Sequence, residues 1–207
     1  MNMRKQSLVL AMAFAAICVT AQDFKTDFKT PAGPELKIIR KANIENGVLK
    51  LSNGGTVDLN VSTEQPFKIQ LKARVVQMDE GSKNPPFWQI VLNGKDKARS
   101  LNMFRADGLL VSYFYNNDVR DPQKGFIKKY PYAKNEFGDV ELSVNKGMTT
   151  LSVNGTKIGQ TSCDGLLPLK SISLGTYNLE SELDSISFSI LPAENAPQPS
   201  GEPEEKK

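Results

Sequence analysis

Apolar and polar side chains alternate with a period of two along most of the chain from residue 36 to residue 191. The clearest stretch runs from residue 139 to residue 158. It is divided by a Lys146-Gly147 turn and by Asn154-Gly155, a dipeptide that favours a tight type I′ hairpin. This pattern predicts a meander of three antiparallel strands. The apolar side of its first strand is formed by Val140, Leu142 and Val144.

Further segments show the same period. Residues 67–75 and 182–190 alternate cleanly, whereas residues 87–92 are apolar on both sides and predict a central strand. No segment of ten residues after the leader has helical periodicity, so the chain is predicted to be an all-β antiparallel sandwich. The predicted core contains the residues on the apolar sides of these strands: Phe67, Ile69, Leu71, Leu142, Val144, Leu151, Val153, Ile186 and Phe188.

The strand from Leu109 to Tyr115 is ambiguous, because both of its sides carry large side chains. Val111, Tyr113 and Tyr115 lie on one side of it, and Leu110, Ser112 and Phe114 lie on the other. One of these sides must face the core, and the alternation by itself does not say which.

The first 21 residues resemble a secretory signal peptide. A basic start is followed by an apolar run, Ser7 to Ile17, that is too short to span a bilayer. Val19 and Ala21 then occupy the positions expected of small residues before a cleavage site. The protein is therefore predicted to be exported, to a periplasm or to the outside of the cell. A lipoprotein signal that uses Cys18 is the less favoured alternative, because Ile17 is large and β-branched.

The remaining chain divides by composition into three parts. Residues 22–35 contain a repeated Asp-Phe-Lys-Thr and two prolines, and they predict an extended lead-in. Residues 36–191 form the predicted sandwich domain. Residues 192–207 are rich in Pro, Glu and Lys, have almost nothing to bury, and predict a disordered tail.

Charge and residue usage exclude several kinds of function. Removal of the leader would take Arg4 and Lys5 from 26 basic residues and none of the 23 acidic ones, which leaves a net charge of +1. A chain so close to neutral has no electrostatic footprint for nucleic acid. The chain contains no histidine, which excludes Ser–His–Asp and Cys–His catalysis. Cys163 is interpreted as an incidental thiol rather than as a nucleophile or an intermolecular link.

Several segments resemble concanavalin A-like lectin and glucanase domains, a superfamily that includes laminin G-like modules. They are Asn46–Leu49, the strand from Phe67, Phe87–Ile90, and the closing pair VELSVNKGMTTLSVNGTKI and ISLGTYNLESELDSISFSI. The resemblance implies a jelly-roll fold and a glycan or another polar ligand. It does not assign an activity, because lectins, glucanases and protein-binding modules share this fold.

The carboxylates depart from the glucanase pattern. Those enzymes carry E-x-D-x-x-E or E-x-D-x-E on one strand, so that alternation places the catalytic acids on one face. Glu182 and Asp184 have the first spacing, but no third acid follows, and they are interpreted as structural. An enzyme would have to use other acids near the expected concave face, and the candidates are Asp107, Asp118, Asp139 and Glu141.

Aromatic and hydrogen-bonding side chains collect in the middle third of the chain. Sugar sites combine aromatic faces with amides and arginines, and the predicted ligand-binding residues are Trp88, Arg105, Tyr113, Tyr115, Asn116 and Asn117. No cofactor is predicted. The oxygen-rich group of Asn116, Asn117, Asp118 and Asp121 could hold Ca²⁺, but it is read as a polar loop.

Three hypotheses for the function therefore stay open. The first is a secreted, non-catalytic domain that binds carbohydrate. The second is a sugar-processing enzyme of the same superfamily whose carboxylates are not identified. The third is an interaction scaffold of the cell envelope. An aromatic-lined groove on the concave sheet favours the first hypothesis, and two acids that face each other across a groove favour the second.

Overall fold

The structure is a computed structural model, and it describes residues 23–30, 33–79, 81–131 and 133–192. The predicted signal peptide with Cys18, and all but the first residue of the predicted tail, lie outside these ranges. Within them no helix is long and apolar enough to cross a membrane. The described residues form thirteen strands, and a 3₁₀ turn, Lys95–Lys97, follows the fifth of them. The strands are β1 (Phe24–Thr26), β2 (Leu36–Glu45), β3 (Val48–Leu59), β4 (Phe67–Met78), β5 (Phe87–Gly94), β6 (Arg99–Arg105), β7 (Leu109–Asn116), β8 (Val119–Lys129), β9 (Gly138–Asn145), β10 (Met148–Val153), β11 (Thr156–Ser162), β12 (Leu169–Tyr177) and β13 (Leu179–Ile190).

All strand pairs are antiparallel, and the hydrogen-bonded order is β11-β10-β9-β4-β13-β3-β12-β5-β6-β7-β8. Strand β3 joins two layers. Its first half, Leu49–Leu51, pairs with β13, and its second half, Thr56–Leu59, pairs with β12. We call the sheet from β11 to β13 the first layer and the sheet from β12 to β8 the second layer. The apolar sides of both layers meet in one core, so the fold is the predicted antiparallel β-sandwich.

The layers also touch at their far edges, where β8 contacts β11. The Phe126 ring of β8 packs directly over Gly159 of β11, where any Cβ atom would overlap it. A glycine at this position therefore allows the two edges to approach each other.

The predicted core is confirmed, because all nine of its residues are at most 3% exposed. The predicted meander is also confirmed as β9, β10 and β11. Both residues of the Asn154-Gly155 turn have positive φ, as a type I′ turn requires. In β7, Leu110, Ser112 and Phe114 face the core, which places Tyr113 and Tyr115 on the opposite side.

The packed part of the chain begins earlier than the sequence suggested. Strand β1 lies in the predicted lead-in, yet it pairs with Ile186–Phe188 of β13. Phe28 is buried in the core. Three residues of strand and one buried ring from the predicted lead-in therefore pack against the sandwich.

Candidate functional site

The outward side of the second layer forms a surface, which we call the open face. The strand registers place its side chains in four rows across the sheet. Each row contains residues that pair across neighbouring strands: Tyr177–Phe87–Arg105, then Gly175–Gln89–Met103–Val111–Ile127, then Ser173–Val91–Leu101–Tyr113, and last Ser171–Asn93–Arg99–Tyr115–Arg120. From the first row to the last, the six residues that separate Arg105 from Arg99 span about 20 Å of strand.

One end of the open face contains a pocket of about 330 Å³. The rings of Phe87 and Tyr177 stack along its side, with centroids 5.2 Å apart and an angle of 22° between the planes. Tyr177 is 41% exposed, and it offers its surface to solvent. Arg105 also lines the pocket, but its guanidinium is held by Asp107 in the β6–β7 turn.

The other end of the open face combines tyrosines with arginines. The guanidinium carbon of Arg120 lies 3.8 Å from the centroid of the Tyr113 ring, and that of Arg99 lies 4.9 Å from the centroid of Tyr115. Guanidinium groups at these distances are attracted by the electron-rich ring faces. The arginines therefore rest on the tyrosines, with Arg120 exposed and Arg99 half-buried.

Amide and hydroxyl groups border this arginine-rich end. The Nδ2 atom of Asn93 lies 3.2 Å from the Oγ atom of Ser171 and 3.4 Å from that of Ser173. These groups belong to three adjacent positions of β5 and β12, and all of them are half-buried. They can exchange hydrogen bonds with the hydroxyls of a ligand.

A buried polar network lies beneath the centre of the open face. Ser112 donates a hydrogen bond to Oδ1 of Asn102 (2.9 Å), and Nδ2 of Asn102 donates to Ser100 Oγ (3.2 Å). The three side chains are fully buried. Because satisfied buried polar groups lock one arrangement of neighbouring strands, the network fixes the register of β6 against β7.

The predicted ligand-binding residues are divided between these places. Tyr113 and Tyr115 lie on the open face, and Arg105 lies at its pocket end. Asn116 and Asn117 are exposed at the β7–β8 turn, next to the arginine-rich end. Trp88 lies elsewhere: it is 7% exposed and stacks on Phe104 inside the core, with centroids 4.1 Å apart. Its burial removes it from the candidate surface.

Sequence reasoning did not predict the following aromatic and charged residues of the site: Phe87, Arg99, Arg120 and Tyr177. Phe87 sits in a strand that is apolar on both sides, so its side of the sheet could not be assigned. Arg99, Arg120 and Tyr177 become neighbours of the predicted residues only through pairing between strands. The lengths of the β6–β7 and β7–β8 hairpins could have predicted that Arg99 and Arg120 lie opposite Tyr115, because hairpin length sets the register of the paired strands.

Comparisons with known proteins agree on the architecture. No protein-family model matches the chain, and no curated protein matches it. Among solved structures, a β-glucanase from Bacillus licheniformis superposes with a TM-score of 0.69 at 9% identity, over 83% of this chain and 100% of that one. A β-1,3-1,4-glucanase (lichenase) derived from a mouse hindgut metagenome superposes with a TM-score of 0.67 at 11% identity, over 82% of this chain and 99% of that one. The chain has the concanavalin A-like jelly-roll fold.

A carbohydrate-binding module also has this jelly-roll fold. The module CBM66 from Bacillus subtilis superposes with a TM-score of 0.56 at 11% identity, over 72% of this chain and 91% of that one. At identities this low, the superpositions establish the fold only. The activity of this protein must be argued from its own residues.

The acids of this jelly roll do not gather on the open face. Strands β5, β6, β7 and β12 contain no Asp or Glu. Asp107 and Asp118 occupy turns at opposite ends of β7, whereas Asp139 and Glu141 belong to β9 in the other layer. Asp107 and Asp118 therefore border the open face at opposite ends, and the structure does not bring the four acids together. In the described part of the chain, no three His, Cys, Asp or Glu side chains form a group that could hold a metal ion.

Glu182 and Asp184 are engaged in ion pairs. Glu182 accepts hydrogen bonds from Nε of Arg74 (2.9 Å) and from its terminal nitrogen (2.6 Å). Asp184 lies 3.6 Å from the ammonium of Lys72. A β-bulge between Leu183 and Ser185 also interrupts the alternation, so the two-residue spacing does not make the acids equivalent. Both acids help to join β13 to β4.

Cys163 has the environment of a structural residue. It is 2% exposed, and burial raises the pKa of its thiol above the ordinary value. A buried thiol with a raised pKa contains little thiolate at neutral pH and is a poor nucleophile. This environment fits an incidental thiol.

Proposed function

We propose that the jelly roll binds a carbohydrate on its open face without hydrolysing it. The observation that carries the proposal is the combination of tyrosines, arginines and amides along about 20 Å of sheet whose four central strands have no carboxylate. Aromatic rings cover the apolar faces of sugars, and amides and guanidinium groups bind their oxygens. The similarity of the fold to glucanases and to CBM66 supports a carbohydrate ligand.

The absence of carboxylates from the central strands favours binding over hydrolysis. Most glycosidases need two carboxyl groups on either side of the scissile bond, one to protonate the leaving oxygen and one to act as base or nucleophile. The β6 side chains on the open face are Arg99, Leu101, Met103 and Arg105. None of these side chains can serve as the acid or as the nucleophile of that mechanism.

One feature of the first layer supports the enzyme alternative. Asp139 and Glu141 lie on the same side of β9 and line a groove of about 580 Å³ together with Lys25 and Lys72. Glu141, however, accepts a hydrogen bond from Nε2 of Gln70 at 3.0 Å and lies 3.7 Å from the ammonium of Lys68. These contacts fit a structural ion pair better than a group that transfers protons.

A glycan array and a reducing-sugar assay on the same purified chain test the proposal. We expect binding to at least one class of glycan and no release of sugar. Tyr115→Ala should weaken that binding more than Lys95→Ala, because the ring contacts the ligand and the nearby lysine only adds charge. Sugar release that Asp139→Asn or Glu141→Gln abolishes would replace binding with hydrolysis. No binding to any glycan would leave an envelope scaffold as the better proposal.

Export is the second part of the proposal, and it rests on the leader. We expect cleavage after Ala21, which mass spectrometry of the N-terminus measures in protein recovered from cells that export it. A chain that begins with a lipid-modified Cys18 would instead anchor the protein to a membrane surface and would contradict cleavage after Ala21.

A further inference from the structure

We propose that the ligand of the open face is an acidic glycan, whose carboxylate or sulfate group binds between Arg99 and Arg120. The inference rests on the proposed function and deepens it, because it assigns the chemical class of the ligand. It starts from the fourth row of the open face, where Arg99, Tyr115 and Arg120 pair across three neighbouring strands.

The two guanidinium groups are held in place by the tyrosines. Arg120 lies 3.8 Å from the centre of the Tyr113 ring, and Arg99 lies 4.9 Å from the centre of the Tyr115 ring. A guanidinium that rests on an aromatic ring loses little further freedom when it binds a ligand. Its planar set of N–H donors matches the two oxygens of a carboxylate or a sulfate.

Neither arginine is hydrogen-bonded to a carboxylate within the described part of the chain. Arg120 forms no ion pair within the described part of the chain. Arg99 comes no closer than 3.6 Å to Asp118, a carboxylate that is also 3.6 Å from the ammonium of Lys97. The Nε atom of Arg99 is buried and has no hydrogen-bond partner among the described residues. Arg99 and Lys97 thus share one carboxylate, and Arg120 has none in the ranges that the structure describes, so this end of the open face has an excess of positive charge.

Two other arginines of this protein, in contrast, have guanidinium groups that are hydrogen-bonded to carboxylates. Arg74 donates two hydrogen bonds to Glu182, and Arg105 donates to both oxygens of Asp107. Arg99 and Arg120 differ from them in being oriented by rings rather than by acids. An external anion would complete their hydrogen bonding, and it would gain the strength of a charge-assisted pair.

The neighbouring groups suit a sugar rather than a free anion. Asn93 pairs with Arg99 across the strands and lies beside Ser171 and Ser173. A ring that places its acidic group on the arginines would therefore bring its hydroxyls to an amide and two hydroxyls. The apolar side chains of Val91 and Leu101 continue the surface towards the pocket end.

The test compares glycans that differ only in charge. Calorimetry on the purified chain would use oligogalacturonides and their methyl esters, which have the same rings with and without carboxylates, and κ-carrageenan oligosaccharides before and after removal of their sulfate groups, which have the same neutral rings with and without sulfate. We expect the charged member of at least one pair to bind about tenfold or more tightly, since a charge-assisted hydrogen bond is about twice as strong as a neutral one. Added salt should weaken only the charged member. The pair that shows the preference identifies carboxylate or sulfate as the group.

Variants then locate the preference. Arg99→Ala and Arg120→Ala should each reduce it, and Arg120→Lys should keep its salt dependence but lose part of the affinity, because an ammonium lacks the planar set of donors. Lys157→Ala is the matched control. It removes one positive charge from an exposed position of β11 in the other layer, so the preference for the charged glycan should not change.

The possible failures are distinguishable. Glycans that bind equally well with and without charge, in the parent and in both arginine variants, would overturn the acidic ligand and leave carbohydrate binding intact. A preference that survives the double variant Arg99→Ala/Arg120→Ala would place the anion elsewhere and would also overturn the inference. If no glycan binds, charged or neutral, the proposed function fails together with the inference.

Discussion

Replacing Phe188 with alanine is expected to lower the free energy of unfolding by roughly 3–5 kcal/mol, the range found for large-to-small changes at buried aromatic positions. The ring is 1% exposed and stacks on Phe67, with centroids 5.3 Å apart and an angle of 27° between the planes. It lies where β13 pairs with β4 on one side and with β1 on the other. Its loss would therefore leave a cavity that three strands border, and no single strand could move to fill it.

Urea denaturation of the parent, Phe188→Ala and Ser187→Ala measures this effect. Ser187 is the preceding residue on the outward side of the same strand, so its change should stay within about 0.5 kcal/mol. The reverse result, a small loss for Phe188→Ala and a large one for Ser187→Ala, would mean that the register of β13 is shifted by one residue.

The fold could be predicted from the sequence because its signals are local. In the meander, a strand, a two-residue turn and the next strand follow one another directly, so that Asn154-Gly155 and the flanking alternation decide the pairing together. Strand β1 carries no such signal. It is three residues long, and its partner lies more than 150 residues later in the chain, so only the folded sandwich brings them together.

The site was less predictable, because alternation gives the two sides of a strand but not which side is outside. In β5 both sides are apolar, and Trp88 belongs to the side of Ile90 and Leu92, which faces the core. In β7 the same ambiguity had the opposite outcome, and the tyrosines face outward. The arginines that rest on those tyrosines come from two other strands, and only the register of three strands shows that they are neighbours.

Carboxylate spacing illustrates a further limit of the alternation rule. Glu182 and Asp184 are two residues apart, which would place them on one side of a regular strand. The bulge after Leu183 breaks that regularity, and the charges of Arg74 and Lys72 decide what each acid contacts. Although their spacing resembles the glucanase motif, Glu182 and Asp184 therefore form ion pairs that link β13 to β4.

Tyr113 is the aromatic residue whose loss should weaken ligand binding most. It lies in the third row of the open face, between the pocket at Tyr177 and the arginine-rich end. Its ring also supports Arg120 at 3.8 Å, so Tyr113→Ala would remove a contact surface and release a guanidinium at the same time. We expect a loss of affinity of about 2 kcal/mol, roughly 30-fold, which is typical of a tyrosine at the centre of a binding surface.

Calorimetry with the best glycan of the array, on variants whose thermal unfolding matches that of the parent, measures the loss. Tyr113→Phe keeps the ring and its contact with Arg120, so it should stay within about threefold of the parent, because only the hydroxyl is removed. Tyr177→Ala tests the pocket end of the open face by itself, because Tyr177 lines the pocket and stacks on Phe87 rather than on Arg99 or Arg120. Binding that survives Tyr113→Ala but is lost in Tyr177→Ala would confine the ligand to the pocket. Equal losses in both variants would instead indicate a ligand that contacts both rings, because Tyr113 also lines the pocket at Tyr177.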